Sequence, residues 1–230
     1  MKKLATILGL TAVLAMAATS AFAANQVRIS QAWGGGGSAT ATATYNVDYV
    51  ELFNSGNTPV NIGGWTIEYG SATGSWGSTA SNIFTFPVGA TIQPCKYVLV
   101  QLGTPSAGGA ALPVTADYSG TLNMGGTNGK VALFNAVNTN LACGSEIAGT
   151  LVDKVSWGTA NCSETAATPA MSINLGAGRN GDGMTDTDNN SADFTMGVLI
   201  PRNSASPANT ACLATPTVNK TWGSLKSIYR

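Results

Sequence analysis

Clusters of glycine, asparagine, proline and serine interrupt this chain at short intervals along most of its length. The runs between them are short and rich in β-branched and aromatic residues, and helical periodicity is nearly absent after the first 23 residues. Short runs of this composition, bounded by turn-forming residues, are typical of β-strands. The pattern therefore restricts the chain to an all-β fold built from many short strands.

Side-chain alternation indicates how individual strands lie in a sheet. The stretch "VDYVELFN" places Glu51 on the face opposite its apolar neighbours, and "WTIEY" places Glu68 on a face expected to meet water. The stretch "KYVLVQL" has no polar alternation, which predicts a strand buried on both faces.

Seven to nine strands of this kind, counting the weaker candidates "IFTFP" and "TLNM", predict an antiparallel β-sandwich. We expect one domain, over residues 24–207, because no internal repeat or second composition is visible. Residues 208–230 are expected to form a Thr/Pro-rich tether and a short amphipathic tail, "KTWGSLKSIYR".

The N-terminus has the three parts of a secretory signal peptide. Lys2 and Lys3 form a positive start, residues 4–18 are apolar, and residues 21–23 (Ala-Phe-Ala) form a small-x-small cleavage site. Cleavage before Ala24 predicts a protein that is secreted, either extracellular or at the cell surface. The apolar run is shorter than the roughly 20 residues that a membrane span needs, so no transmembrane span is expected.

The charge balance argues against nucleic acid as a partner. The whole chain has 11 basic and 11 acidic residues, and removal of the signal peptide leaves 9 basic against 11 acidic. Nucleic-acid binding depends on clustered positive charge, and the basic residues here are scattered.

Candidate catalytic groups are few, since the chain contains no histidine and so lacks Ser-His-Asp or Cys-His arrangements. Asp48 and Glu51 are three apart on a predicted strand and should point to opposite faces, so they do not form a glycosidase pair. Glu68 could approach Glu51, but exposed carboxylates on a sheet are usually solvated. The run Gly34–Gly37 lacks the following Lys-Ser/Thr and the helix of a phosphate loop, and is expected to be a flexible connection. We therefore predict no enzyme activity.

Loop tryptophans are the candidate ligand-binding residues. Trp76 in "GSWGST" and Trp33 beside the glycine run could stack on sugar rings. Trp65 and Trp157 occupy strand positions with the periodicity of core residues. A carbohydrate-binding module with Trp76 as its contact residue is therefore the alternative function.

The stretch "GDGMTDTDNNSADF" concentrates acidic residues in a chain that is only 10% charged. It fits an EF-hand loop poorly, because the sixth and twelfth positions hold neither the glycine nor the acid. The candidate ligands for a calcium site of another kind are Asp182, Asp186 and Asp188. The other interpretation is a scaffold in which Asp and Asn side chains accept hydrogen bonds from the backbone and Phe194 anchors the loop in the core. We expect the scaffold, and no cofactor other than this calcium candidate.

Several segments together resemble the lamin tail domain family, in the form found in secreted bacterial proteins. They occur in the family's order and cover residues 27–204, and they are "VRISQAWGGGG", "DYVELFNSGNTPVNIGGWTIEY", "LVDKVSWGTANC" and "DTDNNSADF" followed by "PRNS". The resemblance implies an immunoglobulin-like β-sandwich that serves as an accessory or interaction module, often attached to secreted nucleases, phosphoesterases or other hydrolases. It also implies that the acidic loop and the glycine run belong to the fold.

Four cysteines in an exported chain predict two disulfides, with three pairings available. Zinc is disfavoured because the chain has no CxxC pair and no histidine. Related bacterial domains often carry cysteines at the places of Cys143 and Cys162, and "GSEIAGT" between them can reverse the chain. We therefore predict a Cys143–Cys162 bridge, which leaves Cys95 and Cys212 for the second.

The sequence thus favours a non-catalytic secreted module of lamin tail type that binds a protein or a cell-surface or extracellular component. A carbohydrate-binding module is the alternative, and an accessory protein of a hydrolase with a calcium site is third. The tail Trp222–Arg230 is either a sorting or attachment signal or an amphipathic turn on the sandwich.

Overall fold

A computed structural model describes residues 26–213, which fold into a sandwich of two main β-sheets. The signal peptide and the tail that were predicted from the sequence lie outside the described residues. The strands are β1 (Val27–Trp33), β2 (Asp48–Asn54), β3 (Val60–Asn61), β4 (Thr66–Gly70), β5 (Ile83–Thr85), β6 (Thr91–Ile92), β7 (Tyr97–Leu102), β8 (Tyr118–Gly120), β9 (Gly129–Phe134), β10 (Leu151–Trp157), β11 (Gly176–Arg179) and β12 (Phe194–Gly197). The helical segments are the 3-10 turns Ala80–Asn82 and Asn180–Gly183 and the short helices α1 (Asn190–Asp193) and α2 (Thr210–Leu213).

The larger sheet has six strands in the order β12-β11-β1-β2-β7-β8, and the smaller has four in the order β10-β9-β4-β5. Strands β3 and β6 form a separate two-stranded ribbon. The pairings between these strands are antiparallel except that of β7 with β8, which is parallel. The predicted antiparallel β-sandwich is confirmed, except that the edge strand β8 pairs in parallel with β7.

The core between the sheets consists of the inward-facing residues that alternation predicts. Val50 and Leu52 of β2 face Ile67 of β4 and Leu133 of β9 across this layer, and all four are fully buried. Removing an aliphatic side chain from water contributes roughly 1.5–3 kcal/mol, so this layer supplies much of the driving force for folding. Strand β7 is buried on both faces along most of its length, as predicted from its unbroken apolar run.

Both outer faces of the sandwich are also covered, which the sequence did not predict. Long connections and the C-terminal segment pack over them, around a Trp33–Tyr49 cluster on the six-stranded sheet and a Trp76–Phe134 cluster on the four-stranded sheet. Glu51 was expected to lie opposite the core and Glu68 to face water, yet the side chains of both are 0% exposed. The prediction of two solvated carboxylates is therefore wrong, because loops distant in sequence cover both faces.

The connection through Gly34–Gly37 is close-packed rather than a loose linker. A Cβ atom on Gly35 would lie 2.0 Å from the carbonyl oxygen of Ser172, and one on Gly36 would lie 1.9 Å from the carbonyl carbon of Val47. Only glycine permits this approach of backbone to backbone. The segment "TLNM" that follows β8 is not a strand, although its Leu122 is fully buried.

The C-terminal part of the described chain packs on the sandwich beyond residue 207, where the tether was expected to begin. Asn209 is largely buried and donates from its carboxamide to the carbonyl of Gly181, and Cys212 in α2 is disulfide-bonded. No helix between residues 26 and 213 is long and apolar enough to cross a membrane.

Candidate functional site

Two disulfides tie the covering segments to the sandwich. Cys95 pairs with Cys212 across a sequence separation of 117, and Cys143 pairs with Cys162 across a separation of 19. These are the two pairs expected from the sequence. The first fixes the C-terminal helix beside the start of β7, and the second closes the connection that covers the four-stranded sheet.

Trp76, the residue proposed for sugar stacking, is 0% exposed. Its indole packs edge-on against Phe134, and its Nε1 donates to a carboxylate oxygen of Glu146 at 2.6 Å. A ring with no exposed face cannot stack on a pyranose, so the assignment of Trp76 as a ligand-binding residue is wrong. The glycines around it suggested an exposed loop, but the disulfide-closed connection covers it. Trp33 is likewise 0% exposed.

Arg202, from the "PRNS" segment, neutralises the buried carboxylate of Glu51. Its guanidinium donates to Glu51 at 2.8 Å and lies 3.8 Å from the centre of the Tyr97 ring, and its backbone N–H donates to the second Glu51 oxygen at 2.5 Å. Ser30 adds a hydroxyl donor at 2.6 Å. Burial raises the pKa of the Glu51 carboxyl, and the hydrogen bond and charge of Arg202 oppose that rise. Glu51 is thus an internal counter-ion, which explains a carboxylate in the middle of β2.

Two of the three aspartates proposed as calcium ligands pair with different arginines. Asp182 is 74% exposed and pairs with Arg202 at 2.8 Å, whereas Asp186 pairs with Arg28 at 3.0 Å and with Arg179 at 3.1 Å. Asp188 is exposed, and its backbone adopts a positive φ of 55°. The fold therefore uses Asp182 and Asp186 as anions for arginines.

The rest of the acidic loop is a scaffold of side-chain-to-backbone hydrogen bonds. The Asp193 carboxylate accepts from the backbone N–H of Thr187 at 2.8 Å and of Asn189 at 3.3 Å. The Asn190 carboxamide accepts from the N–H of Ser156 at 3.1 Å, and Phe194 is buried in the core. These contacts agree with the scaffold interpretation, in which the loop orders itself around its own polar side chains.

A buried ion pair between β10 and β11 lies at the centre of this region, and the sequence did not reveal it. Arg179 donates to both oxygens of Asp153, at 2.8 and 2.6 Å, and both side chains are nearly inaccessible to solvent. Asp153 accepts from the N–H of Ile29 at 2.6 Å, and Arg179 donates to the carbonyl of Ile29 at 2.9 Å. The register of β1 against β2 shifts between Ile29 and Gln31, so the pair satisfies the backbone groups of a β-bulge. Residues so distant in the chain give no local sequence signal.

Glu164 completes an acidic group with Asp153 and Asp186. One carboxylate oxygen from each lies within 4.8 Å of the others, the closest approach to a metal-ligand arrangement between residues 26 and 213. Burial raises the pKa of the Glu164 carboxyl to about 8, and the charge on Asp153 adds to the effect. The guanidinium of Arg179 forms ion pairs with both Asp153 and Asp186. The positive charge that holds these carboxylates together is therefore that of an arginine rather than a metal ion.

A small cleft lies beside the glycine connection. It has a volume of about 260 Å³, and Gly34–Gly36, Gly126, Thr127 and Ser172 are among its lining residues. Behind it, the buried Asp48 accepts from the N–H of Gly36 at 2.8 Å. Burial raises the pKa of the Asp48 carboxyl to about 7, although that bond and one from Met124 lower it. Asp48 faces the backbone rather than the cleft opening, so it is suited to holding the turn.

Taken together, the sheets, the doubly covered faces and the internal arginine–carboxylate pairs define an immunoglobulin-like β-sandwich module. The profile of the lamin tail domain family matches residues 20–159, which is more than half of the chain. The chain therefore belongs to the lamin tail domain family. The match includes β1 to β10, whereas the acidic loop and Arg202 follow the matched range.

No curated protein matches the chain. Among solved structures, a DUF4876 family protein from Bacteroides thetaiotaomicron VPI-5482 is similar, with a TM-score of 0.48 and 12% sequence identity. That similarity covers 85% of this chain and 75% of the other.

Proposed function

We propose that this protein is an exported, non-catalytic interaction module that binds a protein or another cell-surface or extracellular component. The proposal rests on the finding that several charged side chains form ion pairs within the fold and are not free to act on a substrate. Glu51, Asp153, Arg179 and Arg202 are all committed to internal pairs that hold the fold. Membership of the lamin tail domain family, two disulfides and the predicted signal peptide support the same function.

The surface that suits a protein partner is an aliphatic strip beside the edge strand β12. The strip consists of Leu175, Val198 and Ile200, which are 40%, 68% and 71% exposed. Gly176 pairs with Gly197 at the end of the sheet, so Leu175 and Val198 continue that register as neighbours. Strand β12 carries none of the lysines or prolines that commonly protect sheet edges. Exposed aliphatic residues beside an unprotected edge are typical of protein-binding surfaces.

The carbohydrate alternative has lost its main support. The large hydrophobic side chains that are exposed between residues 26 and 213 are all aliphatic, whereas sugar rings stack on aromatic faces. Trp222 lies outside the described residues. Saturable binding of the full chain on a glycan array would favour this alternative over the leading proposal.

Substitution of aspartate for the two most exposed residues of the strip tests whether it binds a partner. Val198→Asp with Ile200→Asp should leave the melting temperature within about 2 °C, because both side chains are largely in solvent. The partners recovered by cross-linking the wild-type chain on intact producing cells should be lost from the double variant. Val88→Asp is the matched control, since Val88 is 99% exposed outside the strip. Recovery of the same partners by the strip variant, or turnover of a nucleic acid, phosphoester or glycan by the purified chain, would contradict the proposal.

A separate experiment addresses where the module resides. Cells that express the chain with and without residues 222–230 are fractionated into medium and envelope. A shift of the shortened chain into the medium would show that the tail holds the protein at the surface.

A further inference from the structure

A lysine is buried beneath the covered outer face of the four-stranded sheet. Lys130 on β9 is 0% exposed, the only lysine between residues 26 and 213 with that burial. Its Nζ lies 5.2 Å from the centre of the Trp76 ring and donates to the side-chain oxygen of Asn161. Among the described residues, no carboxylate lies within ion-pairing distance of this ammonium. A buried ammonium without a paired anion is costly, so the arrangement requires an explanation.

The amide partner is held firmly in place against this amine. The backbone N–H of Asn161 donates to the carbonyl of Ala72 at 2.9 Å, and the next residue, Cys162, is bonded to Cys143. Asn161 itself is exposed, so its carboxamide lies between the buried amine and solvent. An amine and a carboxamide fixed in contact have the high effective concentration that favours reaction between them.

An acid lies in the same cluster. The Glu146 carboxylate accepts from Trp76 Nε1 at 2.6 Å, on the ring that covers Lys130. Burial raises the pKa of the Glu146 carboxyl, whereas hydrogen bonds from its own backbone N–H, Trp76 and Gly144 lower it. The lowering effects together outweigh burial, so the pKa of Glu146 lies below its ordinary value. Glu146 is therefore ionised at neutral pH, and because its pKa is lowered it can hold a proton only transiently. Burial lowers the pKa of the Lys130 ammonium, and the charge of Glu146 opposes that change.

We propose that Lys130 and Asn161 join in an intramolecular amide bond, with Glu146 as the proton acceptor. Glu146 is beyond ion-pairing distance, so the Lys130 ammonium transfers a proton to it through one water, and the neutral amine attacks Cγ of Asn161. The attacking nitrogen passes one of its protons to the side-chain nitrogen as the bond from Cγ to that nitrogen breaks, so that ammonia leaves. The ammonia takes up the proton held by Glu146 and departs to solvent as ammonium. The step needs no oxidant or cofactor. It replaces a buried charge with a neutral amide and removes the cost of burying the ammonium.

The bond would cross-link β9 to the connection after β10, residues 31 apart in sequence. It would act beside the Cys143–Cys162 disulfide but would survive reduction, which suits a protein exported to a variable redox environment. This modification is independent of the partner-binding function proposed above.

Intact mass of the purified wild-type chain, reduced and denatured, tests the proposal directly. The expected mass is that of the chain after removal of its signal peptide, less one ammonia molecule. Tryptic digestion should fail after Lys130 and give a branched peptide containing Lys130 and Asn161. A wild-type chain of unmodified mass would overturn the proposal, and so would an ammonia loss that maps to another residue.

Two variants test separately whether the bond forms at Lys130 and whether Glu146 accepts the proton. Lys130→Met should show no ammonia loss, whereas Lys96→Met is the matched control and should keep it, because the Lys96 ammonium donates to the backbone carbonyl of Ser206. Glu146→Gln keeps an oxygen for Trp76 but cannot accept a proton, so the bond should form about 100-fold more slowly in a chain with native circular dichroism. Wild-type rates in that folded variant would overturn the role of Glu146, and ammonia loss retained in Lys130→Met would overturn the bond.

Discussion

At the scale of single residues, charged side chains in this molecule serve as internal counter-ions. Arg202 and Arg179 each reach a buried carboxylate, and each arginine also contacts an exposed or half-exposed aspartate of the acidic loop. Removing one member of a buried pair is more damaging than removing both, because the remaining charge has no partner and little water. The fold therefore depends on the pairing rather than on either residue alone.

The pair of Glu51 and Arg202 permits a double-mutant test. Arg202→Met should lower the free energy of unfolding by about 3–5 kcal/mol, since it leaves Glu51 buried without a counter-charge. Adding Glu51→Gln should recover part of that loss, which urea unfolding of the single and double variants would measure as a coupling energy. Asp182→Asn is the control, because Asp182 is 74% exposed and its bond to Arg202 should contribute about 1 kcal/mol or less. Additive effects of the Glu51 and Arg202 changes would contradict the pairing.

Glu164 should make the stability depend on pH. Its pKa is about 8 in the folded chain against an ordinary value of 4.5, so the folded state favours the protonated carboxyl. The stabilisation is complete below pH about 4.5 and is lost as pH rises through about 8. Glu164→Gln should therefore match wild type at pH 4 and exceed it at pH 9 by a few kcal/mol in urea unfolding. Parallel curves for wild type and Glu164→Gln would disprove the assignment.

At the scale of elements, the sequence predicts strands well and their covered faces poorly. Alternation identifies β2 and β4, and an unbroken apolar run identifies β7, because each of these patterns is local. The alternation in β4 predicts that Glu68 is exposed to solvent. In the structure its carboxylate is covered by the connection that follows β9, and it accepts a hydrogen bond from the N–H of Asn138, 70 residues away. Burial of that kind depends on contacts between segments, which no local pattern contains. The same reason explains why Trp76 was misassigned and why the Asp153–Arg179 pair was missed.

The acidic loop should fold without calcium. Asp186 is already bonded to Arg28 and Arg179, and Asp193 to the loop backbone, so a cation would have to displace these partners. We expect the melting temperature to change by less than about 2 °C on adding chelator or millimolar calcium. A calcium-dependent rise that Asp186→Asn abolishes would show that the loop binds the ion after all. Magnesium at the same concentration controls for ionic strength.

At the scale of the whole molecule, the disulfides connect elements that the sheets leave apart. Family resemblance predicted the lamin tail sandwich from motifs within it, whereas the packing of residues 208–213 on that sandwich follows from Cys212 and Asn209. Cys95–Cys212 links the beginning of β7 to the last described helix, across most of the folded chain. Cys143–Cys162 closes only the connection around β10. The two bridges should therefore contribute unequally.

Loop-closure entropy gives the size of that difference. A bridge over 19 residues should stabilise the fold by about 3 kcal/mol, and one over 117 residues by about 5 kcal/mol, because the longer loop restricts the unfolded chain more. Replacing Cys95 and Cys212 together by alanine should accordingly lower the free energy of unfolding more than replacing Cys143 and Cys162. Urea unfolding of both double variants without reductant measures the contributions, and the reduced wild type gives the combined loss. A larger loss from the shorter loop would show that local packing around Trp76, rather than chain entropy, determines what these bridges contribute.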